Sequence, residues 1–321
     1  MELYYLLVFA SAVAASFVAV DIYRRENEKR KIVIGIDINK RGKPRIAESA
    51  GIALLVPIWA GIFATGMMAG FNGEVVMWGL LLSVFAVIGF ADDMKTKFVK
   101  KEMPWKVRAL PIALISTMFA YVYAPAPAFW VIPVALFIAG LASFQNTFAG
   151  LNGWEVGSGF IISVASAALL WGTPYFGAAV ILAGAVFGLL LLNLYPAKVF
   201  PGDSGTMLIG SAIAGLFVLT GNIMLMSVCT LFFIPHMVDF FLLKLPTARG
   251  DLTQAKAAPY KVRGDGRLEI PRYADGKARY DFAKMLMRIF GPMKERQIVA
   301  IIWCVVALNC TAVLFFAGVL G

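Results

Sequence analysis

Histidine occurs once in 321 residues, cysteine only three times, and Asp, Glu, Lys and Arg together make 15% of the chain. The lone His236 and the scattered Cys229, Cys304 and Cys310, with no CxxC spacing, exclude a Cys/His metal cluster and a paired-thiol redox site. Buried apolar thiols are the simpler reading. An ordinary soluble domain has about a quarter of its residues charged, so the low charge excludes that class as well as a disordered chain. Repeats of roughly 20 to 50 residues are also missing, which excludes a solenoid.

What is present is apolar: 60% of the residues are AVILMFWYC, and 29 Lys and Arg against 19 Asp and Glu leave a net charge of +10. Ten runs lack any Lys or Arg: 3–20, 49–69, 75–91, 109–123, 128–145, 156–171, 175–192, 205–220, 223–243 and 297–319. Most are long enough to cross a hydrocarbon core of roughly 30 Å, and the three short ones (109–123, 156–171, 205–220) are expected to extend into their flanks. Between them, residues 21–48 hold nine Lys/Arg, 92–108 six, the turn at Lys198 one and 244–296 thirteen, which accounts for all 29. If the spans alternate, every basic residue falls on one face. The positive-inside rule makes that face cytoplasmic and puts both termini outside. The basic excess then needs no nucleic acid. The first run has no basic residue before it and Arg24 and Arg25 after it, which predicts an uncleaved helix rather than a signal peptide.

The expected fold is therefore all-α, a polytopic membrane protein of ten transmembrane helices forming one domain over 1–321, with a cytoplasmic insertion at 244–296 between helices 9 and 10. Within the insertion, 266–273 and 277–280 flank Ala274-Asp275-Gly276 and predict a hairpin. Phe282, Met285, Leu286, Ile289 and Phe290 then repeat at helical spacing with charges between them, which predicts an amphipathic helix on the cytoplasmic leaflet.

The polar residues at span ends carry the chemistry. Gly89-Phe90-Ala91-Asp92-Asp93 leaves the third span, Pro201-Gly202-Asp203-Ser204-Gly205 enters the eighth, and Asn146-Thr147-Phe148-Ala149-Gly150-Leu151-Asn152-Gly153 closes the fifth. Topology alone brings three acids and two amides to one depth beside basic loops. Mg²⁺ prefers hard oxygen ligands and often takes one or two protein groups plus substrate phosphates, so this set suits magnesium-assisted phosphoryl transfer. Taken singly, the acid pair also reads as a solvated loop start paired with Lys95 or Lys97, and the Pro-Gly-Asp-Ser-Gly run as a helix cap.

Together these stretches resemble three motifs of the polyprenyl-phosphate N-acetylhexosamine-1-phosphate transferases. Asp37-Ile38-Asn39-Lys40, with Ile46-Ala47-Glu48-Ser49, is similar to the eukaryotic and archaeal branch that loads N-acetylglucosamine phosphate onto dolichyl phosphate. The resemblance implies transfer of the sugar phosphate from a UDP-N-acetylhexosamine to a polyprenyl or dolichyl phosphate, with release of UMP, in an archaeal plasma membrane with the active site on the cytoplasmic face. It implies Mg²⁺, or Mn²⁺ in its place, on Asn146 and Asp203, and a catalytic group of Asp92, Asp93 and Lys101, with Lys100 as the fallback for the last. Asp92 is open between a base and a positioning group. Substrate contacts fall on Asn39, Lys40, Glu48, Gly150, Asn152 and Gly153, and on Arg267 and Arg272 of a partial arginine-rich loop. Leu268 and Glu269 depart from that loop's His and basic residue, so the sugar stays open, as does a homodimer. His236 and Asp239, three residues apart in the ninth span, share a helical face, either as a functional pair or as a polar pair joining helices. A transporter of a nucleotide-sugar or lipid phosphate is the competing class; acids gathered at one face rather than at midplane count against it.

Overall fold

The computed structural model describes residues 2–99, 104–248, 259–272 and 279–319. Helices dominate: α1 (Glu2–Arg30), α2 (Leu55–Ala69), α3 (Gly73–Val99), α4 (Trp105–Tyr123), α5 (Val131–Thr147), α6 (Trp154–Leu169), α7 (Phe176–Asn193), α8 (Gly202–Leu219), α9 (Ile223–Phe232), α10 (Ile234–Thr247), α11 (Phe282–Phe290) and α12 (Glu295–Phe316). Each of the ten apolar runs has most of its length in one of these helices, or in the α9–α10 pair. Among the described residues seven helices are long and apolar enough to cross a membrane, and an eighth span results if α9 and α10 count as one. The short α6 and the α4 helix, which starts with Lys106 and Arg108 inside its first turn, fall outside that set.

The α9–α10 pair bends by 60° at a break followed at once by Pro235, whose missing N–H removes a helical bond. Helix α9 starts on Asn222, whose side chain accepts from the N–H groups of Met224 and Leu225 at 2.9 and 3.2 Å.

Helices α7 and α8 are buried over most of their length; α1 and α6 pack on α7, and α3 and α5 on α8. Lipid chains are as apolar as Leu, so such helices associate by close packing of small residues. Gly89 is the clearest case: a Cβ there would strike the backbone of Asp203 and Ser204, so glycine lets α3 bring its acids up to the start of α8. Gly202 opens α8 at φ +66, and a Cβ there would strike Asp93 and Ser49.

The helical expectation missed two small antiparallel ribbons. Strands β1 (Ile34–Ile36) and β2 (Arg45–Ala47) pair with Gly35 opposite Ile46, and Ala47 bridges to Val199 beside α8. Strands β3 (Lys261–Val262) and β4 (Leu268–Glu269) pair around a turn at Gly264-Asp265-Gly266. The turn of the hairpin predicted over 266–280 lies outside the described residues; within its first arm, Leu268–Glu269 pairs with Lys261–Val262 upstream. The amphipathic α11 forms, but it packs on its own protein: Phe282, Ala283, Leu286 and Met287 are buried, and of its apolar residues only Ile289 and Phe290 are exposed. Asp281 caps α11 by accepting from Lys284 N at 2.8 Å, and Asp239 of α10 accepts from Phe282 N at 2.7 Å.

Candidate active site

Asp92 and Asp93, adjacent on α3, face different partners. Asp93 turns to the start of α8: its carboxylate accepts from Asp203 N at 3.2 Å and Ser204 N at 3.4 Å, and from the Ser49 hydroxyl. It therefore serves as a cap, supplied from another helix, for amides with no intrahelical acceptor. Ser204 Oγ lies 3.0 Å from Ser49 Oγ and donates to Ser49 O at 3.1 Å, tying the same turn to the segment after β2.

Asp92 is buried and accepts from Arg108 Nη1 at 2.8 Å; the same nitrogen donates to Asp203 Oδ2 at 2.7 Å. One guanidinium from the first turn of α4 thus bridges an acid on α3 to an acid on α8. Beside them, Thr206 Oγ1 donates to Asn146 Oδ1 at 2.9 Å, which fixes the amide at the end of α5. Asp203, Asn146, Thr206, Glu48, Asn39 and Asn152 line one cleft of about 350 Å³. Glu48, the acid after β2, pairs with Lys97 at 2.5 Å rather than with the nearby Arg45.

The opposite rim is a second polar network. Lys40 in the β1–β2 turn pairs with Asp37 at 3.3 Å and with Glu295 at the start of α12. Asn152 joins both acids: its side chain donates to Asp37 Oδ2 at 3.0 Å and its backbone N–H to Glu295 Oε1 at 2.8 Å. Asn39 Nδ2 donates to Gly150 O at 3.1 Å. Gly153 N donates to Asn193 Oδ1 at 3.1 Å, while its carbonyl accepts from Trp303 Nε1 at 3.0 Å. Beyond Asn39 a cavity of about 500 Å³ continues past Lys40, Arg41, Tyr195, Lys294 and Arg296, with the Lys40 ammonium 4.4 Å from the Tyr195 ring centroid. Cations there suit an anionic ligand.

Eight of the residues expected from sequence meet around this cleft: Asn39, Glu48, Asn146, Gly150, Asn152 and Asp203 in its wall, with Asp93 touching α8 and Lys40 on the rim. Asp92 joins them through Arg108, and Gly153 sits behind Asn152. Lys100 and Lys101 lie outside the described residues. Arg267 and Arg272 are exposed and line neither cavity; Arg267 Nε lies 3.6 Å from Asp265. Nearby, the hydrogen bond from Lys261 holds the Glu269 carboxyl below its usual range. His236 is fully buried against the rings of Phe148 and Phe233, with centroids 4.0 and 5.0 Å away and no hydrogen-bond partner among the described residues. It does not pair with Asp239, whose carboxylate takes Lys244 at 2.7 Å instead.

Three contributors escaped the sequence reading. Arg108 was counted among loop cations, although an Arg within a turn of an apolar run is itself a signal, because charge at that depth needs a partner. Asp37 stands in the Asp37-Ile38-Asn39-Lys40 stretch, where the resemblance implies contacts only for Asn39 and Lys40. Glu295 lies 255 residues from its partner Lys40, and nothing local in the sequence marks it.

Among the described residues no three His, Cys, Asp or Glu side chains form a closed metal cage. The oxygen set of Asp203 and Asn146, with Asp92 near, still fits Mg²⁺, which keeps most of its shell for water and phosphate. A cation between Asp92 and Asp203 is already demanded by their charges, and Arg108 fills that place.

A family model described as Glycosyl transferase family 4 matches residues 75–221, the stretch from α3 to the end of α8. The chain is 31% identical over 294 residues to a Saccharolobus solfataricus protein, covering 86% of this chain and 85% of the relative. That relative carries the provisional name UDP-N-acetylglucosamine–dolichyl-phosphate N-acetylglucosaminephosphotransferase. A Methanocaldococcus jannaschii protein provisionally named a glycosyltransferase is 28% identical over 274 residues, covering 84% and 83% of the two chains. The phospho-N-acetylmuramoyl-pentapeptide-transferase of Shouchella clausii is 27% identical over 245 residues, covering 67% and 73%.

Proposed function

The chain belongs to glycosyl transferase family 4 and is a membrane sugar-phosphate transferase; from that premise we propose that it moves N-acetylhexosamine-1-phosphate from a UDP-sugar to a polyprenyl or dolichyl phosphate, with N-acetylglucosamine as the sugar. An oxygen of the lipid phosphate forms a bond to the β-phosphorus, and the bond from that phosphorus to the oxygen bridging to the α-phosphate breaks. UMP leaves and a lipid-pyrophosphate-sugar remains, the first membrane step of lipid-linked glycan assembly for N-glycosylation.

The observation that carries this reading is the meeting of Asp203 and Asn146, from two helices, at one cleft, with Asp92 of a third helix joined to Asp203 through Arg108. A phosphate nucleophile is ionised near neutral pH, so positioning and charge stabilisation matter more than a base. Asp92 is then a positioning acid, and Asp93 holds the start of α8 so that Asp203 faces the cleft. Mg²⁺, or Mn²⁺, bound by Asp203 and Asn146 would neutralise the pyrophosphate of the donor. Asn152, Gly150, Asn39 and Glu48 are the contacts for the nucleotide half and Lys40 lies next to them; the family resemblance adds Lys101 for the lipid phosphate, and Arg267 and Arg272, which line neither cavity here, for the pyrophosphate.

The same reading takes α1 to α9–α10 and α12 as ten spans, termini outside, in the plasma membrane. All Lys and Arg then sit at the cytoplasmic side where the cleft opens. The test is release of UMP by the purified protein given UDP-N-acetylglucosamine, polyprenyl phosphate and Mg²⁺. Metal-dependent UMP formation is expected, and its absence with every UDP-N-acetylhexosamine would overturn the reading.

A further inference from the structure

Arg108 stands where a metal ion would be most attracted. Its Nη1 lies 2.8 Å from Asp92 Oδ2 and 2.7 Å from Asp203 Oδ2, so a single nitrogen serves two carboxylates from different helices. Asp93, next to them, is held by neutral donors, the Ser49 hydroxyl and two amides, and has no ion pair of its own among the described residues. Gly89 lets the α3 and α8 backbones close at this point, which forces the acids together. The metal-free protein therefore needs a positive charge here, and Arg108 supplies it.

We propose that Arg108 is an internal counter-cation of the metal-free enzyme, displaced when a divalent ion binds Asp203, so that metal binding and the Arg108 bridge exclude one another. This rests on the reading that Asp203 holds the metal. A divalent ion would need the Asp203 oxygen at about 2.1 Å, where a guanidinium nitrogen hydrogen-bonded to the same oxygen would be both crowded and repelled. The bridge is built to exchange. It uses one of the guanidinium's nitrogens rather than a bidentate fork, its arginine is 33% exposed, and the long side chain pivots from the first turn of α4. A buried fork would not let go; this pair can. The enzyme thereby avoids both a bare acid cluster within a membrane helix and a permanent cation where the metal must go.

The test measures Mn²⁺ binding to the full-length protein in detergent by electron paramagnetic resonance, with no nucleotide or lipid phosphate present. Arg108→Gln is expected to bind Mn²⁺ about tenfold more tightly than wild type, the size set by losing one charge-assisted competitor. Mn²⁺ should also raise its thermal midpoint more than that of wild type. Lys95→Gln, which removes a positive charge one turn from Asp92 without breaking an ion pair seen in the structure, should change Mn²⁺ affinity much less. Unchanged or weaker binding in Arg108→Gln, or equal tightening in both variants, would overturn the proposal. Arg108→Lys covers the case in which the glutamine variant does not fold, since its shorter point charge should release the metal site in part; wild-type affinity there counts against displacement. Asp203→Asn separates the two readings. If it loses Mn²⁺ while Arg108→Gln gains nothing, displacement fails and the metal site stands; if Asp203→Asn keeps wild-type binding, both fall.

Discussion

Two places in this protein share one design, a single cation between two carboxylates, and differ in what surrounds it. Lys40 lies between Asp37 and Glu295 with side-chain exposures of 15%, 3% and 4%, while Arg108 lies between Asp92 and Asp203 with 33%, 8% and 28%. At the first site each acid also takes a backbone amide, Asn39 N at 3.2 Å for Asp37 and Asn152 N at 2.8 Å for Glu295, and Asn152 donates its side chain to Asp37 as well. That network clasps the β1–β2 turn, the α5–α6 loop and α12. At the second site Asp203 meets the cleft and its cation, and the amides nearby belong to Asp93. A buried network with every group satisfied holds geometry, whereas a half-exposed one leaves a charge available for a ligand. On the proposed function, the clasp shapes the cleft and the bridge serves the reaction in it.

The largest expected effect falls on the bridge. Asp203→Asn keeps size and hydrogen bonding but removes the charge that, on the proposed function, serves the reacting phosphates, and turnover should fall by roughly a thousandfold. The thermal midpoint in detergent should stay near wild type. A large loss of stability there would show that this acid, too, belongs to the framework.

The clasp should respond the other way. Glu295→Ala leaves the Lys40 charge and the Asn152 amide without their acceptor in a buried setting, which costs about 3 kcal/mol. The thermal midpoint should drop well below wild type. In protein that remains folded, the donor KM should rise more than kcat falls, because Asn152 and Asn39 would lose their alignment. If Glu295→Ala melts like wild type, the contrast between the two cation pairs is wrong.

How much of this was visible beforehand follows from distance along the chain. The acids in the last third of α3 and at the start of α8 and the amide at the end of α5 stand where hydropathy changes along the sequence, which is why they could be read as one group. Strands β1 and β2 were missed because three-residue strands between charged turns have no period to read. Lys40 and Glu295 are set together by the fold and not by any local pattern, and Arg108 is one of six Lys and Arg in the 92–108 segment, none of which the charge pattern singles out. The roles of Asp92 and Asp93 could not be separated from sequence either, since adjacent residues on a helix point about 100° apart and only their neighbours decide which one meets the cleft.

That pair gives the smallest and sharpest test. Asp93 accepts from Asp203 N, Ser204 N and Ser49, all neutral donors, so Asp93→Asn keeps an acceptor oxygen for the start of α8. Loss of one charge at a helix N-terminus and partial loss of its cap should lower stability by about 1 kcal/mol. Turnover should fall far less than in Asp203→Asn, because Asp203 keeps its place and Arg108 its partners. The measurement is a thermal midpoint beside an initial rate of UMP release for both variants. A turnover loss equal to that of Asp203→Asn with no change in midpoint would move Asp93 from the framework to the reacting centre, and would mean that the negative charge of the adjacent pair, rather than its hold on α8, is what the cleft requires.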